Sequence, residues 1–264
     1  MLRGGAWASR TLCVRYGLYL SDSAGPVLID TGYTEHALSA PGRGLALRIY
    51  GHVLRPKLVA ENQPGPFLAR FGLRPQDIRR VIVTHFHADH VSGLTLFPKA
   101  RFVASAGAWN AFRSASRLGN LRHGIFAGLL PHDFADRLDV IEATAPFQPP
   151  LFPHGPHGAP FGHDLLGDGS LIAVPLPGHC DGHVGLVFPN VERPLLYAVD
   201  AQWLMAALPA LRRPGFPSSL IAADRTALGR SAALVDGFVR AGGEVVLCHE
   251  PEPTPYDLVP GGRQ

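Results

Sequence analysis

The chain has 264 residues, 46% hydrophobic and 17% charged, which is enough apolar material for a sizeable core and too little charge for a disordered polymer. A net charge of +3 argues against a dedicated nucleic-acid binder, and no window reaches the roughly 20 apolar residues that a membrane-spanning helix needs. Three widely spaced cysteines, Cys13, Cys180 and Cys248, make neither a C-x-x-C pair nor a disulfide framework, so a reducing cytoplasm is the expected compartment.

In chain order, Arg10 and Arg15 interrupt the apolar run near the N-terminus, which argues against a signal peptide. Leu12–Leu20 and Pro26–Asp30 read as strands separated by the turn SDSAG. Residues 43–80 carry eight Arg or Lys against Glu61 and Asp77. Within that stretch Leu45, Ile49, His52, Val53 and Leu54 recur at nearly helical spacing, as in a short basic amphipathic helix. Such a helix either covers one edge of the core or forms a lid or membrane-facing patch near the active site that admits an apolar substrate.

Val81–Thr84 reads as a strand, VSGL after His90 as the start of a helix, Arg101–Ser105 as a strand, and 106–118 as a helix. Leu138–Ala143 reads as a further strand, and 144–169 as loop rich in Pro, Gly and His. Leu171–Val174, Val184–Phe188, Leu195–Val199 and Glu244–Cys248 read as strands, with a helix over Ala223–Ala241 before the last. Two batches of strands, each trailed by helices, predict a layered α/β domain. One domain over 1–264 accounts for the pattern.

The chemistry is concentrated in VTHFHADH, residues 83–90, where four side chains able to bind metal follow a strand. Neutral imidazoles and a carboxylate suit Zn²⁺. His179, Asp200 and His249 each follow an apolar strand, so all are aimed at a sheet rim. Two metals roughly 3.5–4 Å apart can acidify one water and polarise a carbonyl together. His36, His52, His123, His132, His154, His157 and His163 lack such a partner set and read as surface or core residues. Strand alternation turns Cys248 to the face opposite His249, so Cys248 is no candidate nucleophile, nor is Cys180.

The run H-x-H-x-D-H at 85–90, then PGHCDGH, then an Asp and a His at strand ends, resembles the metallo-β-lactamase superfamily. LIDTG at 28–32 and DGSL at 168–171 fit the same resemblance, which spans residues 27–249. It implies an αβ/βα sandwich, a four-layer α/β fold with two mixed sheets inside and helices outside. By that resemblance His85, His87 and His179 hold one metal, and Asp89, His90 and His249 the second, with Asp200 bridging. The cofactor implied is two Zn²⁺, iron and manganese being alternatives. Asp30, His183 and Trp203 fall next to the ligands or in the substrate pocket. Asp89 and Asp200 carry catalytic roles, Asp89 passing a proton to the leaving atom.

The resemblance also narrows the reaction. True β-lactamases of this fold commonly place Cys where Asp200 stands, and diiron oxidoreductases typically carry Glu where His87 stands. The layout resembles the acyl-homoserine-lactone lactonase branch most, with one departure: Trp203 stands where those lactonases often have Tyr. The implied substrate is a small apolar acyl compound such as a lactone or ester, handled without nucleic acid or a membrane span, with a homodimer allowed. A glyoxalase II-type thioesterase, or a metal-bearing binding protein with little catalysis, is the alternative.

Overall fold

The computed structural model describes residues 11–39, 44–211 and 222–258, so Arg43 of the basic stretch and the first ten residues lie outside the described part. Strands β1 (Gly17–Ser21), β2 (Gly25–Ile29), β3 (Arg80–Ile82), β4 (Arg101–Ala104) and β5 (Leu138–Val140) form one sheet in that order. Its β1–β2 pair is antiparallel and the other pairs are parallel. Strands β6 (Ala145–Phe147), β7 (Gly162–Asp164), β8 (Ile172–Pro175), β9 (Val184–Phe188), β10 (Leu195–Val199) and β11 (Glu244–Leu247) form the second, in the order β11-β10-β9-β8-β7-β6. There only β10–β11 is parallel.

Period-two alternation explains why these sheets stack. In β2, Val27 and Ile29 enter the core between the sheets while Leu28 enters an outer core. In β9, Val184 and Leu186 face the first sheet while Val187 joins the other outer core. Central strands such as β2 and β9 are thus buried on both faces, which demands near-continuous apolar sequence and helical cover outside. Helix α1 (Leu45–Leu54) and helix α2 (Ala106–Ser114) lie over the first sheet through Leu47, Tyr50, Ala108, Trp109 and Phe112. Helix α3 (Arg225–Arg240) covers the second through Val235 and Phe238. The result is the expected four-layer arrangement.

Several expectations need correction. Residues 11–16 are irregular rather than strand, because Arg15 and its neighbours bond to the C-terminal segment instead of a sheet edge. The helix expected over 106–118 ends at Ser114, and Ser116 caps a separate helix, Arg117–Arg122, by accepting from the Gly119 amide. The stretch expected as loop over 144–169 contains β6 and β7, three residues each and too short to show a period. Leu138–Ala143 is strand only to Val140 before a 3₁₀ turn over Ile141–Ala143.

Candidate metal centre

Every predicted ligand lies just beyond the C-terminal end of a strand, at the rim where open α/β sheets commonly place their sites. His85 and His87 follow β3, and Asp89 and His90 sit in the single helical turn Ala88–Val91 that His87 opens. His179 follows β8, Asp200 follows β10 and His249 comes two residues after β11. Thr31 secures the turn from outside, its amide and hydroxyl both donating to the His90 carbonyl at 2.9 Å. Two glycines let the PGHCDGH loop approach. A Cβ on Gly178, at φ +119°, would lie 2.0 Å from the Leu228 amide of α3, and one on Gly182, at φ +64°, 2.1 Å from the Ala108 amide of α2. Backbone strain sits here as well, since Val199, a β-branched residue beside Asp200, holds φ +52°, and Asp30 holds +56°.

The donor atoms form two groups that share Asp200. In the first, His87 Nδ1 lies 3.1 Å from His85 Nε2 and 2.8 Å from His179 Nε2, with Asp200 Oδ2 at 3.0 Å from His179 Nε2. In the second, His249 Nε2 lies 3.2 Å from Asp200 Oδ2, and His90 Nε2 is 3.9 Å from Asp200 Oδ1. Asp89 Oδ2 stands 3.8 Å from both His90 Nε2 and His249 Nε2. Six of the seven predicted residues thus fall into two donor groups that share Asp200, and Asp89 stands beside the second group without belonging to it. Cys248 joins the second group unexpectedly, its sulfur 4.0 Å from His90 Nε2.

This arrangement fits metal ions. Burial drives His85 and His87 well below the usual imidazole pKa, so both rings are neutral and each has a lone pair to offer a cation. Asp200 Oδ1 is buried with no hydrogen-bond partner, a state that costs about 1–3 kcal/mol unless a cation meets it. Burial opposes the charge on Asp200, yet His249 and His179 hold its carboxyl well below the ordinary range. Burial likewise opposes the charge on His90 and His249, yet Asp89 with Asp30 raises the first and Asp200 raises the second. Without metal, protons on these two histidines balance the carboxylates, and cations would displace them.

Outer bonds orient the rings. Asp30 accepts from the Thr84 amide at 2.9 Å, the Thr84 hydroxyl at 2.8 Å and His90 Nδ1 at 2.8 Å. The Thr84 oxygen in turn meets His85 Nδ1 at 3.1 Å, and Cys13 O meets His249 Nδ1 at 2.8 Å. These contacts turn Nε2 of His85, His90 and His249 inward. His183 donates from Nδ1 to Leu176 O and accepts the Asp200 amide at Nε2; burial pushes its pKa down to about 3. It therefore steadies Asp200 as a neutral ring. Trp203 packs edge-on against His249 and His179, with ring centroids 5.2 and 6.4 Å away. Sequence reasoning missed Tyr33 and Tyr50, which bond to each other and face Asp89; burial, then Asp89, keeps both phenols neutral. Their only sequence signal was position, Tyr33 following LIDTG and Tyr50 lying on the inner face of α1. Among the described residues, none of the seven histidines set aside from the sequence belongs to either donor group.

The metallo-beta-lactamase superfamily profile matches residues 12–191, and the chain belongs to that superfamily. A curated relative from Mycobacterium tuberculosis, named a probable metallo-hydrolase, is 30% identical over 192 residues, 70% of this chain and 55% of its own length. The chain thus spans little more than half of that relative. An N-acyl homoserine lactonase of Azorhizobium caulinodans is 26% identical over 200 residues, 72% of this chain and 65% of its own. In structure, a Bacillus thuringiensis protein bound to N-decanoyl-L-homoserine superposes with a TM-score of 0.65 at 19% identity, covering 91% of this chain and 82% of its own. A dizinc quorum-quenching lactonase superposes at 0.58 with 16% identity over 92% and 74%. At such identities the superpositions speak for the fold.

Proposed function

We propose that this protein is a dinuclear zinc hydrolase that opens lactones or cleaves esters, with acyl-homoserine lactones its foremost substrate class. The observation that carries the reading is Asp200, whose two oxygens reach toward both donor groups, one of them buried and unpaired. Two metal ions held there supply an acidified water and a Lewis acid for the substrate carbonyl. The chain's own residues do the rest. His85, His87, His179, Asp89, His90, Asp200 and His249 hold the ions, with Asp30, Thr84 and His183 fixing their orientation. Asp89, beside both His90 and His249, would take the proton released by the attacking water and pass it to the departing oxygen. Trp203 packs against His179 and His249, and Tyr33 and Tyr50 lie close enough to Asp89 and Asp200 to feel their charge, so three aromatic residues near this centre suit an apolar acyl chain, and their indole and phenol groups are hydrogen-bond donors. The lactonases among its relatives support the same choice.

Zinc-loaded protein assayed against acyl-homoserine lactones, thioesters and phosphodiesters tests this directly. Lactone opening at the highest kcat/KM is the expected result. A profile confined to thioesters would overturn the substrate class, and silence on every ester of a protein holding two zinc ions would overturn the catalytic reading.

A further inference from the structure

Cys248 was set aside on strand alternation, and its actual position gives it another role. Val246 and Cys248 share the face that looks between the sheets, and that face ends directly beneath the donor groups. His249 follows the strand's end, where regular alternation stops, so consecutive residues both reach the centre. The Cys248 sulfur is fully buried, 4.0 Å from His90 Nε2, and falls with His90, Asp200 and His249 inside a cluster whose donor atoms lie within 4.8 Å of one another. Asp200 is in the same cluster, and its Oδ1, buried and without a hydrogen-bond partner, lies 3.9 Å from His90 Nε2. The sulfur also meets Arg15 O at 3.5 Å and bonds with the side chains of His249 and Tyr197. Nitrogen and sulfur donors on one zinc, at bond lengths of about 2.0–2.1 and 2.3 Å, stand roughly 3.5–3.6 Å apart at a tetrahedral angle, so a closure of about half an ångström would bring this pair onto one ion.

We propose that Cys248 is a thiolate ligand of the second metal, an inference that rests on the dinuclear reading above. The thiol proton leaves to solvent as the sulfur–metal bond forms, and the contact with Arg15 O is given up. A soft sulfur donor beside imidazoles selects zinc or cadmium over manganese at that position, which bears on the metal the site accepts.

Cobalt(II) substitution separates this from the wider reading. The wild-type protein and a Cys13→Ser/Cys180→Ser double variant, in which Cys248 is the sole cysteine, are loaded with cobalt and metal content is measured. Both are expected to bind two ions per chain and to show a near-ultraviolet sulfur-to-cobalt charge-transfer band. Cys248→Ser is expected to lose that band while keeping the visible cobalt bands of its nitrogen and oxygen donors. Two bound ions with no charge-transfer band in the wild type overturn the proposal and leave the dinuclear centre standing, as does a band that is lost in the double variant. Binding of fewer than two ions overturns both. Because the double variant leaves position 248 untouched, the proposal stays testable even if Cys248→Ser fails to fold.

Discussion

At the scale of single residues, holding a metal and holding the holder are different tasks, and each predicts a different phenotype. His87 Nδ1 sits at the centre of the first donor group and Asp200 between both groups. Replacing either by Ala is expected to abolish hydrolysis and to bring bound zinc well below two per chain, as measured by elemental analysis after dialysis. Asp30 touches no metal position, yet it fixes Thr84 and His90 through three hydrogen bonds. Asp30→Asn keeps the shape while adding a donor where Thr84 and His90 already donate. Loss of such an outer partner typically costs about 10–100-fold in metal affinity. Competition with a chelator is expected to show that loss, with zinc stoichiometry restored at high metal concentration. Full wild-type affinity in Asp30→Asn would show that the ring needs no such anchor.

At the scale of elements, the basic helix α1 shows what periodicity reveals and what it hides. Its apolar spacing at Leu45, Ile49 and Val53 was legible, and it does form a helix, but that stripe faces solvent, with exposures of 70, 55 and 70%. The buried side is Leu47, 6% exposed, with Ala46 and Tyr50 packed against the same core. Both faces are apolar, so spacing alone could not say which one the core would take. Leu47→Ala is therefore expected to destabilise by about 2–4 kcal/mol in denaturant unfolding. Ile49→Ser is expected to stay within roughly 0.5 kcal/mol of wild type. Equal effects would mean that the outer stripe is covered. The site was more legible than the helix, because metal chemistry fixes residue types and strand ends fix where they point. His179, Asp200 and His249 were found that way. What stayed hidden depended on long-range geometry: Cys248 through the end of strand alternation, and Tyr33 and Tyr50 through helix packing. β6 and β7 were missed because three residues carry no usable period.

At the scale of the whole molecule, the second donor group depends on a clasp between the two ends of the chain. Residues 11–16 leave the sheet and lie along the segment that bears His249. Arg15 donates to the carbonyls of Leu247, Glu250 and Glu252 and forms a two-pronged pair with Asp257 at 2.8 and 2.9 Å. Its own carbonyl accepts the Tyr197 hydroxyl at 2.9 Å, tying the clasp to β10, the strand that presents Asp200. One guanidinium thus sets the path on which Cys248 and His249 are carried, and its planar fork is not reproduced by lysine. Burial works against ionisation of Asp257, yet the hydrogen bond from Arg15 holds its pKa below the usual carboxylate value. A depressed folded-state pKa contributes stability that is present above the unfolded value and lost as pH falls through the folded one. The clasp is therefore expected to be intact at neutral pH and to loosen below about pH 4, the ordinary range of the carboxylate. Arg15→Met keeps much of the aliphatic stem and removes every bond of the guanidinium, leaving the backbone bonds to Tyr197 and Cys248 in place. At about 1.5–3 kcal/mol for hydrogen bonds to charged groups, it is expected to lower Tm by roughly 4–10 °C at pH 7. The deficit relative to wild type is expected to shrink as the pH approaches 3, because the wild-type chain loses its Asp257 contribution there. Zinc titration of the same variant is expected to weaken the second site about 10–100-fold and the first much less, because the three histidines of the first follow β3 and β8 and only Asp200 is shared. Equal weakening of both sites, or a Tm deficit independent of pH, would place the role of Arg15 elsewhere.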